Sequence, residues 1–179
     1  MFTRSTWLIL LAAVLAAVAG GWLQHRSQQA HVPAGVHVAA LGERVPDLAL
    51  RDLDGREHHL SDYAGHRVLL NFWASWCGPC LDEMPALDQA ARQYTDSVVI
   101  GIAMDDPHRA RAFLGDHPVS YPVLLGELSR PSTSLRLGDL DEVLPYSVLL
   151  DAQGRILARR RGPLDAATLQ HWLSAPNAR

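Results

Sequence analysis

Lysine is absent: all 16 basic side chains of the 179-residue chain are arginine. A P-loop lysine, a Schiff base and a pyridoxal phosphate attachment are thereby excluded before any motif is considered. A basic excess is missing too, since 19 acidic residues leave a net charge of −3. The phosphate contacts that nucleic acid requires have no source, and no nucleic-acid partner is expected. Cysteine is scarce. Two could close one loop but not build a disulfide framework, and a core of this size does not need one. There is no internal repeat, and 20% charged against 48% hydrophobic residues is too little charge for disorder. At ~150 residues per domain, one packed domain with appendages remains.

Trp7 to Leu23 carries no charge for 17 residues, which as a helix rises about 25 Å, the short end of a membrane span. Arg4 and the amino terminus precede it and Trp7 and Trp22 bracket it, which favours a cytoplasmic start and export of the rest. Residues 1–23 therefore read as a signal anchor held in the membrane through 7–23. Ala17-Val18-Ala19 leaves open a signal peptide cut near Ala19 and a soluble product. Either way the remainder faces an oxidising compartment. Residues 24–40 lack a period of 2 or 3.6 and read as a linker, so the folded domain is expected over 41–179.

Within that domain, Val45–Leu50 and Arg56–Leu60 around Asp54-Gly55 predict a β-hairpin, followed by a helical turn over 61–65. Val68–Ala74, apolar on both faces, predicts a strand in the middle of a sheet. A helix is expected from Pro79 to Tyr94, with Leu81, Met84, Leu87 and Ala91 facing the core and Pro85 kinking it. Strands follow at 98–104, 121–125, 146–150 and 155–160, and helices at 107–117, 132–137 and 165–174. This order predicts an α/β fold with a mostly parallel sheet and one antiparallel hairpin.

Trp76-Cys77-Gly78-Pro79-Cys80 falls where the buried strand meets the long helix. Free N–H groups and the positive end of the dipole stabilise an anion there, so a thiol at that place ionises more readily than a free cysteine. Cys77 is expected at the cap with its sulfur outward. Cys80 is expected inward, one turn on and close enough to bridge. Cys77 would attack a partner's disulfide and Cys80 would resolve the mixed disulfide. Pro79 suits the first turn, where its missing N–H leaves no bond unmade. The competing readings are a structural disulfide and half of a zinc site. Zinc needs two further ligands, and the adjacent His58 and His59 would point to opposite faces of a strand. No metal site is expected. Trp73 reads as core and Trp76 as docking surface. Arg159-Arg160-Arg161 reads as a solvated face rather than a lipid-binding cluster.

Asn71-Phe72-Trp73-Ala74-Ser75-Trp76-Cys77-Gly78-Pro79-Cys80 resembles the active-site strand and turn of thioredoxins. Its continuation Leu81-Asp82-Glu83-Met84-Pro85 resembles the membrane-anchored TlpA/ResA-like thiol:disulfide oxidoreductases, over about residues 41–174. The resemblance implies a thioredoxin-like α/β fold, with a central mixed sheet, flanking helices and an N-terminal hairpin extension. It implies an enzyme of the bacterial inner membrane whose periplasmic domain reduces client disulfides through a Cys77–Cys80 dithiol–disulfide cycle, without a cofactor. A membrane electron donor and clients such as apocytochrome c or copper-site proteins are implied with it. By the same resemblance Pro145 of Val143-Leu144-Pro145-Tyr146 is a cis-proline that covers the sulfurs and leaves the Leu144 backbone open to a partner strand. Trp76, Gly78 and Pro79 complete that surface.

Glu83 carries two readings: a solvated acid near the helix start, or, by the resemblance, a participant in proton transfer. Asn71 stands where thioredoxins have a buried Asp, and an amide cannot titrate, which leaves Glu83 or a water to carry the proton. Three other readings share the motif. One is an oxidant or isomerase of higher potential. Another is a copper(I) chaperone holding the metal on Cys77 and Cys80 without an evident third ligand. The last is a hydroperoxide reductase, which normally needs a lone attacking cysteine.

Overall fold

The computed structural model of the chain describes residues 13–22, 32 and 35–174. The chain divides into two units, Met1–Val32 and Pro33–Arg179. In the first, residues 13–22 are helical and expose Val14, Leu15 and Val18. The other residues of the expected membrane span, 7–12 and 23, lie outside the described ones. Among the described residues no helix is long and apolar enough to cross a membrane.

The second unit is built on one sheet. Its strands are β1 (Ala49–Asp52), β2 (Glu57–His59), β3 (Arg67–Trp73), β4 (Ser97–Ala103), β5 (Val123–Leu125), β6 (Tyr146–Leu150) and β7 (Ile156–Arg161). Their spatial order is β2-β1-β5-β4-β3-β6-β7. Only β3–β4 and β4–β5 pair in parallel, and the other four neighbours are antiparallel. The sheet is therefore mixed, not mostly parallel. Two strands run against the expectation: β6 returns along β3, and the leading hairpin adds to the same sheet by pairing β1 with β5. That hairpin turns on Asp52, whose Oδ1 accepts from Asp54 N and Arg56 N, while Gly55 takes φ +83°.

The helices are α1 (Gly78–Gln93), α2 (Pro107–Asp116), α3 (Thr133–Arg136) and α4 (Ala166–Ser174), with a 3-10 turn over Leu60–Tyr63. Every residue of β3 is buried, as expected for a central strand. Alternation along it separates two cores. Val68, Leu70 and Phe72 join Ile100, Ile102, Leu124 and Val148 on one face, closed by Ala39, Val45, Leu48 and Leu137. Ala39 lies in the stretch read as linker, yet it is buried and donates to Arg136 O, so ordered chain precedes Leu41. On the other face Leu69, Val99 and Leu149 pack against Leu87 and Ala90 of α1 and Leu169, Trp172 and Leu173 of α4. The crossovers β3–α1–β4 and β4–α2–β5 step across the sheet in one direction, so a common hand puts both helices on this same face. Ala110 and Phe113 of α2 accordingly pack with Trp73.

Helix α1 buries Met84 and Leu87 as expected, but its core stripe takes Cys80 and Ala90 where Leu81 and Ala91 were expected. Cys80, Glu83, Met84, Leu87 and Ala90 are its buried residues, while Leu81 and Ala91 are half-buried. The helix passes through Pro85, which is exposed.

Candidate active site

β3 delivers the chain to the C-terminal end of the parallel strands, and Met104 N still donates to Trp73 O one residue beyond the paired strands (2.7 Å). A turn over Ala74–Cys77 follows, closed by Cys77 N donating to Ala74 O (3.1 Å). Cys77 is the N-cap of α1 and Pro79 lies in the first turn, where its missing N–H costs nothing. The sulfurs of Cys77 and Cys80 are joined, at a Cα–Cα distance of 5.3 Å. Cys77 keeps 6% of its surface and Cys80 1%. Cys77 is thus the more open of the two, as expected, but it is largely covered rather than outward-facing. Around it Trp76 stands 68% exposed, and Gly78 and Pro79 are exposed.

Glu83 lies one turn beyond Cys80 on the same side of α1. It is 3% exposed, which overturns the reading of a solvated acid. Alternation along β3 sends Asn71 to the α1 face, where its Nδ2 donates to Glu83 Oε1 (2.7 Å) and to Ser147 Oγ (3.1 Å). Glu83 Oε2 accepts from Leu164 N (2.7 Å), so the carboxylate ties α1 to β3 and to the connection entering α4. Burial pushes the Glu83 carboxyl above its ordinary value, against the two N–H bonds, which favour the anion. This carboxyl is a buried acid one turn beyond the inward cysteine, and its raised value makes it a candidate to take up and return a proton.

A family model described as AhpC/TSA matches residues 41–159, which contain both cysteines, Glu83 and Pro145. The chain belongs to the AhpC/TSA family. The thiol-disulfide oxidoreductase ResA of Geobacillus thermodenitrificans is 32% identical over 120 residues, covering 65% of this chain and 67% of that protein. That likeness places the chain among relatives of the ResA kind. The thioredoxin-like protein YneN of Bacillus subtilis is 37% identical over 89 residues, 47% of this chain and 52% of YneN, so the chain matches about half of YneN's length. Among solved structures, a protein from Chlorobium tepidum assigned as thiol:disulfide interchange protein DsbE superposes with a TM-score of 0.64. It shares 31% identity over 73% of this chain and 91% of its own.

In this AhpC/TSA-family chain the Leu144–Pro145 peptide bond is cis, and so is Arg130–Pro131, which sequence reasoning did not single out. Leu144 packs against the cluster formed by Trp73, Ala74, Cys77 and Cys80, so the segment before β6 lies at the disulfide. Pro145 is buried and its carbonyl accepts from Gly162 N (2.9 Å). The arginine triplet is half-buried to exposed, in keeping with a solvated face, and each of its members has a partner within the chain. Arg159 reaches Ala39 O, Arg160 reaches Thr168 Oγ1 (2.8 Å) and Arg161 pairs with Asp141.

Three residues near the site were not singled out from sequence as functional. Ser147 orients Asn71. Tyr121 is buried with burial pushing its phenol up, and its ring lies over Gly101. Asp105 follows β4 and holds Ser75, two residues before Cys77. A lone polar residue in an otherwise apolar strand, as Asn71 is, was the signal that a buried polar partner must exist.

Proposed function

We propose that the chain is an extracytoplasmic thiol:disulfide oxidoreductase that reduces protein disulfides. The observation that carries this reading is the Cys77–Cys80 pair at the α1 N-terminus, with a buried carboxyl one turn behind the resolving cysteine. In the reduced chain the Cys77 thiolate attacks one sulfur of a client disulfide and releases the other client sulfur as a thiolate, which takes up a proton. Cys80 passes its proton to Glu83 and attacks Cys77 Sγ. The mixed disulfide breaks, the second client thiol leaves, and Cys77–Cys80 is restored as a disulfide. Two electrons move from the dithiol to the client, and a membrane donor returns them. Trp76, Gly78, Pro79 and the Leu144 backbone receive the client, with Pro145 beside the sulfurs. Apocytochrome c and copper-site proteins are clients of suitable chemistry.

Direction rests on potential. Gly78-Pro79 is the pair found in thioredoxin, itself near −270 mV, whereas disulfide isomerase lies near −180 mV; a gap of about 90 mV is worth about 4 kcal/mol. The test is the reduction potential of the full chain, equilibrated in glutathione or dithiothreitol buffers and followed by thiol trapping. A value at or below about −230 mV supports a reductant, and one between about −120 and −180 mV replaces it with an oxidant or isomerase. Residues 7–23 hold the protein in the bacterial inner membrane with the second unit in the periplasm. The uncharged run and the exposed Val14, Leu15 and Val18 support this. Persistence of the full chain in carbonate-washed membranes tests it, and release into the periplasmic fraction would indicate cleavage near Ala19.

A further inference from the structure

The C-terminal ends of β3 and β4 carry a buried carboxylate that the thiol chemistry does not use. Asp105 is 6% exposed. Its Oδ2 accepts from Ser75 N (2.7 Å) and from Ser75 Oγ, and its Oδ1 accepts from Asp106 N (2.8 Å). Ser75 is the first central residue of the Ala74–Cys77 turn, and Trp76 is the second. Asp106 is the N-cap of α2, its side chain accepting from His108 N and Arg109 N. One carboxylate thus fastens two strand-to-helix turns, the one that ends in Cys77 and the one that opens α2. Trp76, 68% exposed, has little packing to fix it, so its position is set by the backbone of the turn. Cys77, by contrast, ends the turn but has a second hold in its capping place on α1, where Cys80 N and Leu81 N donate to its carbonyl.

The geometry points to Asp105 as a positioning residue for client docking: through Ser75 it fixes Trp76 beside Cys77, so that protein disulfides are favoured over small, unhindered ones. This rests on the reductase reading and adds a residue that governs selectivity at the same site. Charge-assisted bonds to a buried carboxylate are the strong kind, and losing one frees the turn it closes. An Asn at 105 keeps one acceptor and gains a donor, so at least one of the three N–H or O–H partners is left facing an NH2 group. An Ala at 75 removes only the hydroxyl bond and leaves the carboxylate charge in place.

The experiment uses the reduced full chain and the variants Asp105→Asn and Ser75→Ala, with folding checked by circular dichroism. Second-order rates are measured with insulin, a protein disulfide, and with Ellman's reagent, a small one. Asp105→Asn is expected to slow insulin reduction about tenfold, the scale of one interface contact. The rate with Ellman's reagent stays within about twofold, because thiolate formation at the helix cap is not rebuilt. Ser75→Ala gives a smaller loss of the same kind. Unchanged insulin rates in both variants, or equal falls with both substrates, overturn the assignment. If Asp105→Asn does not fold, Ser75→Ala alone decides by the same ratio. Should the parent chain reduce neither substrate, the reductase reading itself fails, which separates the two ideas.

Discussion

Replacing Glu83 by Gln removes the buried proton site while keeping shape and volume. In the parent the carboxylate accepts from Asn71 Nδ2 and Leu164 N, each at 2.7 Å. Gln offers one oxygen and one NH2, so one of those two donors would face another donor. Asn71 can relieve this. Its Oδ1 is buried without a partner, and a turn of the amide would let that oxygen accept from the new NH2 and from the Ser147 hydroxyl. The structural loss is thus held to about one neutral hydrogen bond, ~1 kcal/mol or less. The kinetic loss is larger. A positioned acid–base group contributes about 10²–10⁴-fold, and in the role proposed for Glu83 it acts on Cys80, not on Cys77. Rapid acid quenching of the reaction with a protein disulfide should find the mixed disulfide on Cys77 accumulating in the variant at pH 6–7. Resolution should be slower by about 10²-fold and recover toward alkaline pH as Cys80 ionises unaided. Stability gives a second readout. Burial raises the Glu83 carboxyl, so between its ordinary value of 4.5 and its folded value the native state holds the extra proton. Parent stability therefore falls as pH rises through that window, by at most about 1.4 kcal/mol per pH unit. The Gln variant lacks this slope. Identical pH profiles for parent and variant in both resolution rate and urea midpoint would refute the reasoning.

Cys80→Ser should trap clients as mixed disulfides on Cys77, whereas Cys77→Ser should abolish exchange; trapping by the Cys77 variant on non-reducing gels would invert their roles. Asn71→Asp sets a second carboxyl 2.7 Å from Glu83 in a fully buried position, where the two cannot both ionise. Its stability in urea should drop as pH rises above the ordinary carboxylate range, with a slope of about 1.4 kcal/mol per pH unit wherever the folded chain keeps one more proton. A pH-independent loss would count against a shared proton. Gly101→Ala places a methyl 3.0 Å from Trp73 Nε1 and 3.1 Å from Tyr121 Cε2. Both rings are buried and cannot swing aside, so urea unfolding should show a loss of about 1–3 kcal/mol; an unchanged midpoint would mean that the rings yield.

Local chemistry was legible in the sequence where a single residue type decides it. The turn into β2, the cap at Cys77, the strand Tyr146–Leu150 and the cap at Asp165, which accepts from Thr168 N, stand where turn and cap residues put them. Strand direction was not legible in the same way. Whether β6 runs with or against β3 depends on the path of residues 126–145, a stretch with only one short helix and no period to read. Glu83 was hard to place for a different reason. A periodic reading assigns core positions to apolar residues, so Leu81 and Ala91 drew the stripe one position away from Cys80, Glu83 and Ala90. Spacing alone would have corrected it, because Glu83 lies three residues after Cys80 and four before Leu87. Asp105 could not be found that way, since its importance arises from the parallel register that sets the ends of β3 and β4 side by side.

The leading hairpin bears on what this protein must avoid. Under the proposed function the molecule would meet the loose strands of its clients, and β5, three residues long, would be an open border without β1. With the hairpin in place the sheet ends instead at β2, another three residues, whose His58 and His59 pair with Asp52, Asp47 and Glu57. At the far side Gly42–Val45 covers the start of β7, and the rest of that strand carries three arginines. Short, charged borders are poor templates for lateral strand capture. On the proposed function this confines contact with a client to the surface around the sulfurs, where it ends when the disulfide is exchanged, so the sheet's margins would protect turnover as well as solubility.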